Sequence, residues 1–317
     1  MEKRALGKSD IKVAPLAFGG NVFGWSADKD VSLKLLDQFV DAGFNLIDTA
    51  DVYSIWVPGH TGGESETIIG EWLSKRGGRD KVVIATKLGI PMGPDKKGLG
   101  KNYVATAVED SLKRLKTDYI DLYQSHRDDP DTPVEETLEA YGKLVKAGKV
   151  REIGASNFEA PRLKASLEAS AKHGYPRYQT IQPNYSLMER GSYEGDLEKL
   201  CRAENVSCIG YYSLASGFLS GKYRSEADLG KSAARSTRVK GYLNDKGMKV
   251  LGALDDIAAA HKASPAQVSL AWLMAKPTVA APIASATSPA QLSEIMKATD
   301  VKLSAQDVAR LDAASAA

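Results

Sequence analysis

Cysteine is nearly missing from this chain. Only Cys201 and Cys208 occur in 317 residues. They form no metal-ligand pattern and are too few for a disulfide framework. Two buried thiols in a reducing compartment are expected, and the cytoplasm is the expected location. Long apolar runs are missing as well: none reaches the roughly 18 residues of a membrane span. The first residues, Met1-Glu-Lys-Arg4, lead into no apolar core of a secretory signal. No Lys/Arg-rich tract occurs, and a net charge of +2 comes from interspersed signs, which argues against a nucleic-acid partner. Histidine is scarce, with four in the chain, so the place of each is informative. What is present is 43% hydrophobic and 26% charged, an ordinary globular composition with enough chain for a large core.

The order of elements is regular. Residues 3–13 read as two short strands around a turn at 7–10, a hairpin able to cover one end of a barrel. A strand over 13–20 closes on Gly19-Gly20. From there, short apolar strands alternate with segments of helical period. Strands are expected at 44–47, 81–87, 119–126, 150–157, 178–184, 206–213 and 279–283. Helices are expected at 31–42, 64–75, 102–115, 133–146, 160–173, 189–203 and 247–261, and from an N-cap at Ser264 to about 276. Two more helical segments, 289–298 and 304–314, finish the chain. Near-continuous apolar strands are buried on both faces, as in a parallel sheet. Eight units without a composition break predict one closed (β/α)8 TIM barrel spanning residues 1–317. A doubly wound open sheet is the alternative, but its Gly-x-Gly-x-x-Gly turn is missing after the first strand. Residues 214–246 form an unusually long connection after the seventh strand, and a flap over the barrel mouth is expected there.

The strand ends carry the chemistry. The second strand ends at Asp48, with Tyr53 five residues on. The third ends at Lys87 and the fourth at His126, the one histidine that terminates a strand. Each alone has an ordinary structural explanation, such as a helix cap, a solvated charge or a packing imidazole. In a barrel the C-terminal ends of neighbouring strands converge on one mouth. A tyrosine with a pKa near 10 is a poor acid at neutral pH, and a neighbouring ammonium is expected to lower that value. Lys87 could supply the ammonium, Asp48 would hold it, Tyr53 would donate a proton, and His126 would hydrogen-bond a carbonyl. Such a unit protonates an oxygen but has no electrons to give, so reduction needs a nicotinamide cofactor.

Asp48-Thr-Ala-Asp-Val-Tyr53, Ala85-Thr-Lys87, Asp121-Leu-Tyr-Gln-Ser-His126, Ile153-Gly-Ala-Ser-Asn157 and Gln182-Pro-Asn-Tyr185 together make the chain resemble an aldo-keto reductase. The set runs over most of the sequence in the expected order. The resemblance implies a (β/α)8 barrel, NADP(H) use and hydride transfer to aldehydes and ketones. It implies Asp48, Tyr53, Lys87 and His126 as catalytic residues. It implies that Ser156, Asn157 and Gln182 hold the carboxamide and that Tyr211 stacks on the nicotinamide. Ser213, Leu214, Gly217, Leu219 and Lys222 would surround the pyrophosphate. Ile283, Ser285, Thr287, Gln291 and Glu294 would surround the adenosine half. Gly217-Phe-Leu-Ser-Gly-Lys222 is not a P-loop: it is one residue short, and Tyr223 stands where Ser or Thr is required. Residues 284–294 contain no basic side chain for a 2′-phosphate, so Ser285, Thr287, Arg235 or Arg238 would have to substitute, and NAD(H) is the alternative cofactor. Phe23, Trp25, Trp56 and Val57 lie on loops expected to reach the mouth, which suggests a small-molecule carbonyl substrate with a hydrophobic body. Two other functions are compatible with these residues. One is a cofactor-binding regulatory module resembling potassium-channel β-subunits. The other is a Schiff-base aldolase with Lys87 as nucleophile.

Overall fold

A computed structural model describes residues 1–231 and 235–316 of the chain. Part of the long connection after the seventh barrel strand, 232–234, therefore lies outside the described residues. Strands β1 (Arg4–Ala5) and β2 (Lys12–Val13) pair antiparallel. Then follow β3 (Ala17–Gly19), α1 (Lys29–Asp41), β4 (Leu46–Asp48), α2 (Glu64–Arg76), β5 (Val83–Leu88), α3 (Lys101–Leu115), β6 (Ile120–Ser125) and α4 (Val134–Lys146). The order continues with β7 (Val150–Ser156), α5 (Ala160–His173), β8 (Tyr178–Gln182), α6 (Asp196–Glu204) and β9 (Ser207–Cys208). The remainder is α7 (Ser236–Lys240), α8 (Asp245–His261), α9 (Pro265–Met274), β10 (Ile283–Ala284), α10 (Pro289–Met296) and α11 (Ala305–Ala314).

The strands β3 to β9 lie side by side in sequence order, with β10 beside β3, all parallel. The sheet closes on itself through the segment before β10. Cys208 N–H donates to Thr278 O at 2.8 Å, Ala280 N–H to Cys208 O at 2.9 Å, and Ile283 N–H to Gly210 O at 2.9 Å. The result is the (β/α)8 barrel that the strand pattern predicts. Pairing around the ring removes the sheet edges.

Side-chain parity decides what faces the axis. Leu46, Val83, Ala85, Leu122 and Ile283 fill the interior together with Leu6, Ile11 and Val13 of the hairpin. The hairpin thus plugs the N-terminal end. It is held by Gly7 N–H to Ser207 Oγ and Lys8 N–H to Gln179 Oε1. The helices cover the outer face through a second core that includes Leu35 and Phe39 of α1, Val104 and Val108 of α3, and Trp272 of α9. Caps set several boundaries. Asp28 accepts from Val31 N–H at α1, and Ser264 with Gln267 forms a capping box at α9.

Several expected boundaries differ, and the strand expected at 13–20 is confined to Ala17–Gly19. The helix expected at 189–203 is confined to Asp196–Glu204, because Gly195 enters at φ +105°. Before it the chain makes a single turn, Glu194 N–H to Arg190 O at 2.9 Å, and the Arg190 guanidinium reaches Glu194 and the carbonyl of Asp312 near the C-terminus. The strands expected at 206–213 and 279–283 shorten to Ser207–Cys208 and Ile283–Ala284. A proline at 282 has no N–H for a ladder. The long connection is not uniformly irregular: it carries 3₁₀ turns at Ala215–Ser220 and Glu226–Lys231, and then α7.

Candidate active site

On β4, Leu46 and Asp48 share the inner face; on β5, Ala85 and Lys87; on β6, Leu122 and Gln124. The lower members are apolar and the upper ones polar, so a buried polar layer caps the hydrophobic interior at the C-terminal end. Lys87 is fully buried and Asp48 is 3% exposed. The Lys87 ammonium spends all three donors. It reaches Asp48 Oδ2 at 2.7 Å, Thr49 O at 2.8 Å and Tyr53 Oη at 3.2 Å. The other Asp48 oxygen accepts from Gln182 Nε2 at 2.8 Å and from Gln124 Nε2 at 3.3 Å, and Gln182 also donates to Gln124 Oε1 at 3.1 Å.

Burial alone would lower the Lys87 pKa. The negative charge of Asp48, with the coupling to Tyr53 and hydrogen bonds to both, outweighs that, and the net direction is up. A Schiff-base lysine needs a neutral amine with a free lone pair, the opposite of a triply donating ammonium. For Tyr53 the direction differs from the one expected from sequence. Burial pushes its pKa up by more than Lys87 pulls it down, and Asp48 adds to the rise. The phenol is therefore protonated at neutral pH. His126 lies edge-on to Tyr53, with ring centroids 5.8 Å apart. Burial first, then the charges of Lys87 and Arg127, hold its pKa well below the ordinary value. The imidazole is neutral, and its Nδ1 is buried without a partner among the described residues.

Beside this group, Asn157 adopts φ +55° at the end of β7. Its Nδ2 donates to His126 O at 2.9 Å and to Ser156 Oγ at 3.0 Å, while its Oδ1 accepts from Tyr211 Oη at 2.8 Å. Ser156 Oγ donates to Gln182 O at 2.8 Å. Tyr211 is half-buried and meets Tyr212 edge-on. The Arg238 guanidinium stands over Tyr212 at 4.2 Å. At Gly217, φ +92°, a built side chain would begin 3.5 Å from Arg235 Nη1 and 3.8 Å from Lys222 Nζ. An aromatic ring, an amide cluster and two cations around a glycine therefore lie along one rim, a donor set that fits a nicotinamide dinucleotide.

The remaining expected residues divide. Ser285 Oγ donates to Gly19 O and sits 2.7 Å from Asn21 Oδ1, so it braces β10 against β3. Thr287 N–H and hydroxyl both meet Gln291 Oε1, Ser288 caps α10, and the Glu294 carbonyl is held by Gln267. Ser213 Oγ donates to Gly210 O. Leu214 is half-buried, Leu219 lies in the outer core and Ile283 in the barrel interior. Trp25 and Trp56 meet edge-on at 5.6 Å, and Trp56 is likewise 5.6 Å from Tyr53. Trp56 is 45% exposed and Val57 half-buried. Phe23 is fully buried, 5.2 Å from Phe18 in the outer core, so it is not part of this exposed wall.

Sequence reading passed over Gln124 and the wider contacts of Gln182. Parity was the available signal: Gln124 is two residues before His126 on the same strand, hence on the same face. Gly154 makes room for this layer. A Cβ there would lie 2.3 Å from Thr180 Oγ1 and 3.0 Å from Gln124 Cγ. Gly154→Ala is expected to cost about 1–3 kcal/mol by overpacking and to displace Gln124 from Asp48. Thermal unfolding measures the first effect; turnover unchanged from wild type would show that the displacement does not occur. Among the described residues, no group of His, Cys, Asp and Glu side chains is arranged to hold a metal ion, and no helix is long and apolar enough to cross a membrane.

The barrel and its mouth define a class of protein, a (β/α)8 barrel with a lysine-linked phenol at the C-terminal ends of its strands. A sequence model of the aldo/keto reductase family matches residues 15–316. The chain is 34% identical to "Protein tas" of Escherichia coli over 99% of this chain and 97% of that protein. It is 32% identical to "Probable voltage-gated potassium channel subunit beta" of Arabidopsis thaliana, over 95% and 92% of the two chains. It is also 32% identical to "Aldo-keto reductase yakc [NADP(+)]" of Schizosaccharomyces pombe, over 88% and 80%. The chain belongs to the aldo/keto reductase family and is an oxidoreductase of that family.

Proposed function

We propose that this protein is an NADP(H)-dependent oxidoreductase that reduces aldehydes and ketones to alcohols, with Asp48, Tyr53, Lys87 and His126 as its catalytic residues. The observation that carries this is the chain Asp48–Lys87–Tyr53, closed by hydrogen bonds of 2.7 and 3.2 Å. A bound reduced nicotinamide supplies the hydride. Lys87 donates to the phenolic oxygen, which leaves the Tyr53 proton free to point toward a substrate carbonyl. As that oxygen gains charge, the Tyr53 proton moves to it, and the phenolate left behind is stabilised by the ammonium already in contact. Neutral His126 donates a hydrogen bond to the same carbonyl oxygen and fixes its direction. Asp48 touches neither reactant and acts by keeping Lys87 charged and aimed. The Trp25–Trp56 wall beside Tyr53 favours a carbonyl on a flat hydrophobic body.

Ser156, Asn157, Gln182 and Tyr211 would hold the nicotinamide end, and Ser213, Leu214, Gly217, Leu219 and Lys222 the pyrophosphate. Ile283, Ser285, Thr287, Gln291 and Glu294 would surround the adenosine. Gln182 would use its carbonyl oxygen, since its amide nitrogen is taken by Asp48 and Gln124. The NADP(+) in the name of the S. pombe relative supports NADP(H) over NAD(H), with Arg235 as the cation that would reach the 2′-phosphate. Arg235→Ala is expected to weaken NADPH binding by about tenfold, the worth of one charge-assisted hydrogen bond, and NADH binding by less. Fluorescence titration with both nucleotides checks this, and equal losses for the two would sink the assignment of Arg235 to the 2′-phosphate. The two buried, free cysteines support a cytoplasmic enzyme, with residues 1–317 acting as one barrel unit.

A second reading, a cofactor-binding regulatory module, has the A. thaliana relative in its favour. A panel of aldehydes and ketones run with NADPH and NADH in parallel separates the two. Steady carbonyl-dependent NADPH oxidation supports the enzyme; tight NADPH binding with no turnover on any carbonyl supports the module.

A further inference from the structure

Asp51 lies two residues before Tyr53 and takes no part in the chemistry above. It is buried, 1% exposed. Its N–H donates to Lys87 O at 3.0 Å, which links its backbone to the residue whose ammonium contacts Tyr53. Its carboxyl turns toward α3, where Oδ2 accepts from Tyr103 Oη at 3.3 Å; Oδ1 is buried without a partner among the described residues. Close by, fully buried Glu66 of α2 accepts from Thr86 Oγ1 at 2.6 Å and from Arg114 Nε at 2.7 Å. One guanidinium thus serves a site with two buried carboxyls, and Glu66 already engages it.

The other groups around Asp51 do not supply a second positive charge at close quarters. Asp110 of α3 is acidic and exposed, and Lys96 of the loop before α3 is exposed. Tyr123 of β6 and Tyr141 of α4 have pKa values raised far above the ordinary phenol by burial, so both are neutral. Burial first and then the Glu66 charge push the Asp51 carboxyl up to about 8, against the opposing pull of Arg114 and Tyr103. A pocket of about 280 Å³ lined by Asp51, Gly62, Met92, Tyr103 and Arg114 adjoins the loop and gives it room to move.

Resting on the reading of Tyr53 as the proton donor, we propose that Asp51 is a positioning residue for it. Asp51 ties the loop bearing Tyr53 to α3 by accepting from Tyr103, and as a neutral acid it does so without repulsion from Glu66. Ionised, it is repelled by Glu66, and the loop shifts toward the pocket. Glu66 is pinned by Thr86 and Arg114, so the loop is the part that yields. A shift of the order of 1 Å at Tyr53 is enough to cost up to about 10²-fold in turnover.

The test is the pH profile of kcat and KM with NADPH and an aromatic aldehyde, for wild type, Asp51→Asn and Tyr103→Phe. In wild type, kcat is expected to fall with a midpoint near 8 while KM for the aldehyde stays level. Asp51→Asn, a permanently neutral isostere, should rescue kcat across that range and leave only the limb of Tyr53 and Lys87 at higher pH. Tyr103→Phe, which cuts the tether and spares Asp51, should lower kcat already at neutral pH. The same limb in Asp51→Asn as in wild type would overturn the proposal, as would a Tyr103→Phe enzyme with an unchanged kcat. Unfolding midpoints against pH supply a readout independent of turnover. The native state holds the Asp51 proton more tightly than the unfolded chain, so its contribution is present at acid pH and is lost as pH rises from about 4 to about 8. Wild type should lose stability over that window relative to Asp51→Asn. If no protein turns over any carbonyl, the proposed function fails; if the unfolding curves also coincide, the ionisation of Asp51 fails separately.

Discussion

Tyr53→Phe should bind NADPH as wild type does and lose turnover by about 10²–10⁴-fold, the usual worth of a positioned general acid. The substitution removes one oxygen. The ring remains, so its edge-on contacts with Trp56 and His126 persist. Lys87 keeps Asp48 and the Thr49 carbonyl and loses only its third acceptor. The layer beneath is therefore intact, and the effect falls on proton delivery. KM for the aldehyde should change little, because His126 still directs the carbonyl. Single-turnover kinetics with saturating NADPH measure the loss, and fluorescence titration measures cofactor affinity. A variant that reduced a good substrate at close to the normal rate would remove Tyr53 from the chemistry. The upward direction of the Tyr53 pKa refines this reading. Tyr53 is held protonated, so under the proposed mechanism Lys87 would act mainly on the phenolate formed as the proton leaves.

The barrel was legible because its strands are apolar runs separated by amphipathic helices, and both signals are local. Asp48, Lys87 and His126 were legible because each ends such a run, and parallel closure brings strand ends together whatever the loops do. What local pattern missed follows from the same physics. Residues 189–195 have helical composition, yet the backbone at Gly195 takes φ +105° and the Arg190 guanidinium is drawn to Asp312, 122 positions away. Phe23 and Trp25 sit on the same loop, but one turns into the core against Phe18 and the other toward the mouth against Trp56. Gln124 carries no charge to mark it, and only closure of the barrel brings its amide to Asp48. The net direction of the Tyr53 pKa depends on how deeply the ring is buried, and no motif carries that. Asp51 lies inside the motif that first marked the site, but its role depends on Glu66 and Arg114, which belong to two other helices.

Asp48→Ala should be the most destabilising single change in the site, by about 3–5 kcal/mol, because it leaves a buried ammonium without its counter-charge. Lys87 has no second anion to turn to. Gln124 and Gln182 present amide groups to Asp48, and the Thr49 carbonyl is already used. Asp48→Ala with Lys87→Met removes both charges together. Gln182 can still donate to Gln124, so the double variant is expected to be more stable than Asp48→Ala alone and equally inactive. A double-mutant cycle by urea unfolding measures the coupling. Additive losses would mean that the pair contributes nothing beyond its separate members. The pH dependence carries a second signature. In wild type the Lys87 pKa lies above its ordinary 10.5, so the native state holds the proton more tightly than the unfolded chain. That contribution is complete below 10.5 and is lost as pH rises past it. In Asp48→Ala the charge that chiefly opposes desolvation is gone, only the contact with Tyr53 still raises the Lys87 pKa, and the net direction is expected to turn down. The unfolded chain then binds more protons than the native state, and stability must rise with pH toward the ordinary lysine value. The slope of stability against pH therefore changes sign between the two proteins. A merely structural carboxylate, one that filled space without holding Lys87 charged, would leave that slope unchanged.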